Sequence, residues 1–138
     1  MQTDDILAIR ALADRYSDAA NRLDPAGMAD VYAPDGELVA FGNAFKGRDT
    51  IRKVFDDTCN SMDFINQACT GAVIEVSGDR ATSRWTITEF TKGKQQDKLA
   101  LFLGTYEDEV VRTAEGWRFA RRILTRRAQT RLDGPLRI

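Results

Sequence analysis

The stretch GTYEDEVVRTAEGWRFARR, residues 104–122, decides the fold of this chain. A long run of mixed β-branched, aromatic and charged side chains breaks at Glu115-Gly116, then resumes with an aromatic start and a basic end. Two such runs around a glycine-containing break read as a long-armed β-hairpin. The same pattern extends backwards. Residues 64–76, 80–91, 99–113 and 117–126 all read as long strands, separated by Ser77-Gly78-Asp79, a polar 92–98 loop and Glu115-Gly116. Long strands joined by tight turns imply an antiparallel meander.

The first half has a different period. Ile9, Leu12, Ala13, Tyr16, Ala20 and Leu23 recur at three- and four-residue steps, giving one apolar helical stripe. Thr3 is placed to cap this helix, and Asp4 and Asp5 suit the positive end of its dipole. Asp24-Pro25 restarts the chain as a short second helix, with Asp24 as N-cap and Met28, Val31 and Tyr32 facing inward. Pro34-Asp35-Gly36 stops it with a turn, 37–41 is a strand, and Gly42-Asn43 turns again. Asp49 opens a third helix whose inner face carries Ile51, Val54 and Phe55. Three N-terminal helices packed on a curved antiparallel sheet make an α+β domain with a concave apolar space between the layers.

At 138 residues, 1–138 is a single domain, with 127–138 as a C-terminal tail. The composition is 43% hydrophobic and 30% charged, with a net charge of −1, which gives no general attraction to nucleic acid or to a membrane surface. Arg118, Arg121, Arg122, Arg126, Arg127, Arg131 and Arg137 crowd the end of the chain and read as a solvated strand face plus tail. Cys59 and Cys69 lie among core-like residues and read as buried reduced thiols, not as a disulfide framework. No apolar run approaches the ~20 residues needed to span a bilayer, and no basic region precedes an apolar one at the start, so a cytoplasmic location is expected. With isolated cysteines, no histidine and no glycine-rich phosphate loop, neither metal nor cofactor is expected.

Five motifs stand in order along the chain: Tyr16 to Asn21, the Tyr32 to Glu37 turn, Gly47-Arg48 before the third helix, Val76 to Thr82, and the 104–122 hairpin. Together they resemble the SnoaL-like branch of the nuclear transport factor 2-like superfamily. The resemblance implies a cystatin-like cone with a pocket for a small apolar molecule. Its members include scytalone dehydratase, hexachlorocyclohexane dehydrochlorinase, ketosteroid isomerase and proteins without catalytic activity, so the site must settle function.

In the dehydratases and the dehydrochlorinase an aspartate ending helix 1 orients a histidine on the strand after helix 3. This resemblance implies Asn21 at the aspartate position, or Asp24 in another register, and Asn66 near the histidine position. Asparagine cannot serve as a base near neutral pH. Ketosteroid isomerase places its oxyanion-hole tyrosine on Tyr16 and its base aspartate on Ala40. The dehydrochlorinase places an arginine that assists the departing anion near Arg118. Arg118 reads equally as a cross-strand partner of Glu107 or Glu109, and Asp108 and Arg112 as sheet-face charges.

The catalytic candidates are therefore Tyr16 as hydrogen-bond donor, Asn21 and Asn66 as orienters, and Glu89 or Asp24 as base. Strand alternation puts Glu89 on the side of Trp85 and Ile87, where desolvation would raise its pKa; otherwise it lies wet beside the polar loop. Tyr32, Trp85, Ile87, Phe55 and Arg118 are the candidate substrate contacts. The expected activity is that of a cofactor-free lyase, isomerase or cyclase on a small hydrophobic polyketide, steroid or terpenoid. The alternative is a ligand-binding or assembly module that has lost its acid–base pair. The sheet face away from the helices, carrying Phe90, Phe102 or Phe119, predicts a homodimer or homotrimer.

Overall fold

The computed structural model describes all residues from Met1 to Ile138. Helix α1 (Gln2–Asn21) and helix α2 (Pro25–Asp30) lead into strands β1 (Tyr32–Ala40) and β2 (Asn43–Lys46). Helix α3 (Arg48–Asn60) follows, and then β3 (Met62–Ser77), β4 (Arg80–Gly93), β5 (Leu99–Thr113) and β6 (Gly116–Leu132). All three helices and all four long strands read from the sequence are present. A short hairpin separates the second helix from the third, however, and β6 runs through the first half of the expected tail, to Leu132.

The six strands form one sheet in the order β2-β1-β6-β5-β4-β3. The meander from β3 to β6 is antiparallel, but β1 pairs with β6 in parallel. That pair departs from the purely antiparallel expectation, because the chain leaves α2 and joins the sheet beside its own last strand. The predicted 34–36 turn is instead an irregularity inside β1. Gly36 permits it: a Cβ there would lie 2.9 Å from the carbonyl oxygens of Ala33 and Phe119. Further register shifts at Thr70/Val73, Leu103/Gly104 and Glu109/Val110 bend the sheet.

The helices pack into the concave face. Ile9, Leu12, Ala13, Tyr16, Ala19 and Ala20 of α1 are buried, as are Ile51, Phe55 and Cys59 of α3. Val54, expected in the core, is only half-buried. Asp24 caps α2, accepting a hydrogen bond from the Gly27 amide at 3.1 Å. Thr3 caps nothing, since α1 begins before it with Met1 at the N-cap. Asp5 instead ties α1 to the sheet, accepting from the Trp117 indole at 3.1 Å and from Arg112 at 3.0 Å.

The strand registers separate the two faces of the sheet. Gln67, Glu89 and Phe102 stand opposite one another on the concave side, while Asn66, Phe90 and Leu101 share the convex side. Of the three phenylalanines expected on the convex face, only Phe90 is there. Phe119 is wholly buried under the helices, and Phe102 lines the hollow.

Candidate active site

A cavity of about 250 Å³ lies between the concave sheet face, α1 and α3. At roughly 30 Å³ per water molecule it holds the equivalent of about eight waters, a volume suited to a one- or two-ring molecule. Most of its lining is apolar, from Met28, Leu38, Val54, Phe55, Ile65 and Ile87 among others. The polar atoms come from Tyr16, Asn43, Thr58, Gln67, Glu89, Thr91 and Tyr106. Glu89 is the one charged side chain on its wall.

Strand alternation delivers Glu89 to this wall, two residues beyond Ile87. Burial pushes its carboxyl above the usual range, and the hydrogen bond donated by the Gln67 amide at 2.8 Å opposes this only in part. Gln67 is itself fixed, because its amide oxygen accepts from Ser17 of α1 at 3.2 Å. The carboxyl is thus held in place, with its protonated form favoured more than in a free glutamate.

Tyr16 and Tyr106 form the second polar element. Their hydroxyls lie 3.1 Å apart, and their rings meet edge to face. Burial raises both phenols, Tyr16 to about 12, so both remain protonated donors. The negative charge of Glu89 further opposes ionisation of Tyr16, which couples the two polar elements.

Behind the tyrosines lies a buried ion pair. Arg122 Nε donates to Asp108 at 2.8 Å, and Ser83 Oγ donates to the same carboxylate at 2.7 Å. Both charged side chains are fully buried. Burial raises the Asp108 carboxyl, against the pull of Arg122. Burial is the largest single influence on Arg122 and opposes its charge, but Asp108 together with Tyr32, Tyr106 and Cys69 outweighs it and keeps the guanidinium cationic. That guanidinium lies 3.6 Å from the Tyr106 ring centre, 4.0 Å from Phe119 and 5.1 Å from Tyr16. Such stacking against three rings is favourable when desolvated.

The structure brings together some of the expected site residues and disperses others. Tyr16, Glu89, Ile87 and Phe55 all line the cavity. Asn66 does not: it is exposed on the convex face, and the polar β3 residue turned inward is its neighbour Gln67. Asn21 is exposed at the end of α1, where its side chain clamps β3 by accepting from the Gln67 amide at 2.6 Å and donating to its carbonyl at 3.1 Å. Asp24 is occupied in capping α2 and is absent from the lining.

Tyr32 opens β1 instead of closing α2, and its buried ring packs on Phe55 and Phe119 outside the cavity wall. Trp85 is likewise buried behind the lining. Arg118 is buried, donates to the Trp117 carbonyl at 2.9 Å and lies 4.0 Å from Asp30, so it meets neither Glu107 nor Glu109. Asp108 and Arg122, expected to be solvated, are instead the buried pair. Ala40, aligned with the isomerase base, does line the cavity, but as a methyl group.

Tyr106, Gln67 and the Asp108–Arg122 pair were missed. The signal was there in part. From Gly104, alternation puts Tyr106, Asp108 and Val110 on one face, and the hydrophobic members reveal which face is inward.

The sequence profile of the SnoaL-like domain matches residues 1–123, and the chain belongs to that family. A protein from Novosphingobium aromaticivorans assigned as a scytalone dehydratase superposes with a TM-score of 0.85 at 23% identity, covering 96% of this chain and 93% of its own. The hexachlorocyclohexane dehydrochlorinase LinA-type3 from Novosphingobium barchaimii superposes at 0.83 with 18% identity and 97% coverage of both chains. A Mycobacterium tuberculosis protein of unknown function shares 28% identity at a TM-score of 0.82, over 91% of this chain and 73% of its own. The first two likenesses, at such identities, establish shared architecture. No functionally curated protein matches the chain by sequence.

Proposed function

We propose that this chain is an acid–base lyase or isomerase acting without a cofactor on a small, neutral, oxygen-bearing molecule of one or two rings. One observation carries the reading: a half-buried carboxyl, Glu89, shares an apolar cavity with the hydrogen-bonded phenols of Tyr16 and Tyr106. Ionised Glu89 takes a proton from carbon next to a substrate carbonyl. The C–H electron pair moves into a new C=C bond, and the carbonyl oxygen gains negative charge. The phenol proton not used in the Tyr16–Tyr106 bond is donated to that oxygen, the role of an oxyanion-hole donor. Return of the proton to another carbon completes an isomerisation; departure of a β-substituent with its electron pair completes an elimination. A cavity with a carboxylate and no cation on its wall disfavours anionic substrates.

The test is hydrogen–deuterium exchange, followed by NMR, on a panel of one- and two-ring ketones including 2-tetralone. The wild type should accelerate exchange next to the carbonyl, and Glu89→Gln should abolish the acceleration. Tyr16→Phe should lower the rate by about 10²–10³, the scale of losing one oxyanion donor. Normal exchange by Glu89→Gln would refute the base assignment.

A second reading has its own support. Asn21 and Asp24 are tied into structural bonds, and the chain has no histidine, so the aspartate–histidine pair of the dehydratases has no counterpart here. A module that binds a ligand without transforming it would bind the panel ketones and exchange none of them.

A further inference from the structure

The β1–β2 hairpin turns through two residues, Phe41 and Gly42, between the paired Ala40 and Asn43. Both have positive φ, 51° at Phe41 and 79° at Gly42. This is the mirror-image turn that a twisted hairpin favours, and its first central position normally carries asparagine, aspartate or glycine. A bulky aromatic there is a conformational outlier. Phe41 is also 67% exposed, an expensive place for a benzyl group. Neither the turn nor the core gains from a phenylalanine at this position.

The ring does have a contact. Phe41 lies at the rim of the cavity and meets Phe102 with ring centres 6.2 Å apart at 71°. Phe102 is held from behind. A Cβ on Gly104 would lie 2.6 Å from its Cε1 atom, so the missing side chain at 104 is the space its ring occupies. One ring is seated in the sheet, and the other stands on a strained, exposed two-residue turn at the same rim. Strain of this kind persists where function requires it.

We infer that Phe41 and Phe102 form an aromatic gate to the cavity, with Phe102 the fixed side and Phe41 the moving one. This rests on the reading of the cavity as a ligand site. Small neutral molecules pass when the Phe41 ring leaves Phe102, and its return shields the bound molecule from water. The turn needs only a side-chain rotation or a small hinge motion to open, since the Phe41 ring has no other aromatic partner.

Stopped-flow fluorescence with 2-naphthol as probe tests the gate on wild type, Phe41→Ala and Phe41→Asn. Both variants should speed association and release together by roughly three- to tenfold, the scale of one edge-on aromatic contact. Kd should stay nearly unchanged. Because asparagine suits a positive φ, Phe41→Asn should also melt no lower than wild type, which separates gating from damage to the fold. Unchanged rates in both variants, with 2-naphthol still binding, would overturn the gate and leave the ligand site standing. Binding by the variants but not by wild type would support a gate that stays closed to this probe. Absence of binding in all three would overturn the gate and the ligand-site reading together.

Discussion

Replacing Arg122 by methionine should be among the most damaging single changes in this protein. Both partners of the Arg122–Asp108 pair are fully buried, so removing the guanidinium strands a carboxylate with Ser83 as its remaining strong donor. Breaking a buried pair in this way costs about 3–5 kcal/mol. At about 4 °C per kcal/mol for a domain of this size, Tm should fall by roughly 12–20 °C. The deficit should depend on pH, and its sign follows from Asp108. Its carboxyl is already raised by burial in the native state. A raised carboxyl contributes stability that is complete below the unfolded pKa of ~3.9 and is lost as pH rises through the folded value. Without Arg122 the folded value rises further. The gap between variant and wild type should therefore be widest at about pH 8 and narrow towards pH 4. Urea unfolding at the two pH values measures it, and Asp108→Leu combined with Arg122→Met should recover part of the loss. A cost below about 1 kcal/mol at neutral pH, or one independent of pH, would refute the reasoning.

Glu89→Gln should stabilise the fold at alkaline pH and leave it nearly unchanged near pH 4, because ionising a raised carboxyl opposes folding only above its unfolded pKa of ~4.3; equal effects at both pH values in urea titrations would contradict this. Asn21→Ala should cost about 1–2 kcal/mol, since it removes both hydrogen bonds that fasten α1 to the Gln67 backbone, and unchanged urea unfolding would show the clamp to be idle. Self-association through the convex sheet face, where Phe90 and Leu101 are half-buried and Leu103 exposed, is proposed on the same footing. Sedimentation at micromolar concentration should show a dimer or trimer, and a monomer would end that proposal.

The three helices, the four long strands and much of their sidedness are legible along the chain. The apolar stripe of α1 and the alternation of Trp85, Ile87 and Glu89 are local periodic signals, because each residue's direction follows from its neighbours along one element. Capping of α2 by Asp24 was legible for the same reason. Which polar groups meet depends on packing between distant segments. Asn66 and Gln67 differ by one position, and a strand's period of two sends one outward and the other to Glu89; nothing local says which. Arg122 looked like one more charge in a basic run until the register of β5 against β6 set it opposite Asp108, beneath the helices and out of water. Pro34-Asp35-Gly36 carried a turn's composition, yet pairing with β6 pulled it into the sheet. Phe41 reads along the chain as the end of a strand before a Gly42-Asn43 turn, whereas the structure places it in the turn itself, and its strain and its contact with Phe102 exist only once that turn and the cavity rim are built. The site joins β3, β4, β5 and α1, residues far apart in the chain, and such meetings are settled by packing and register, which no single segment encodes.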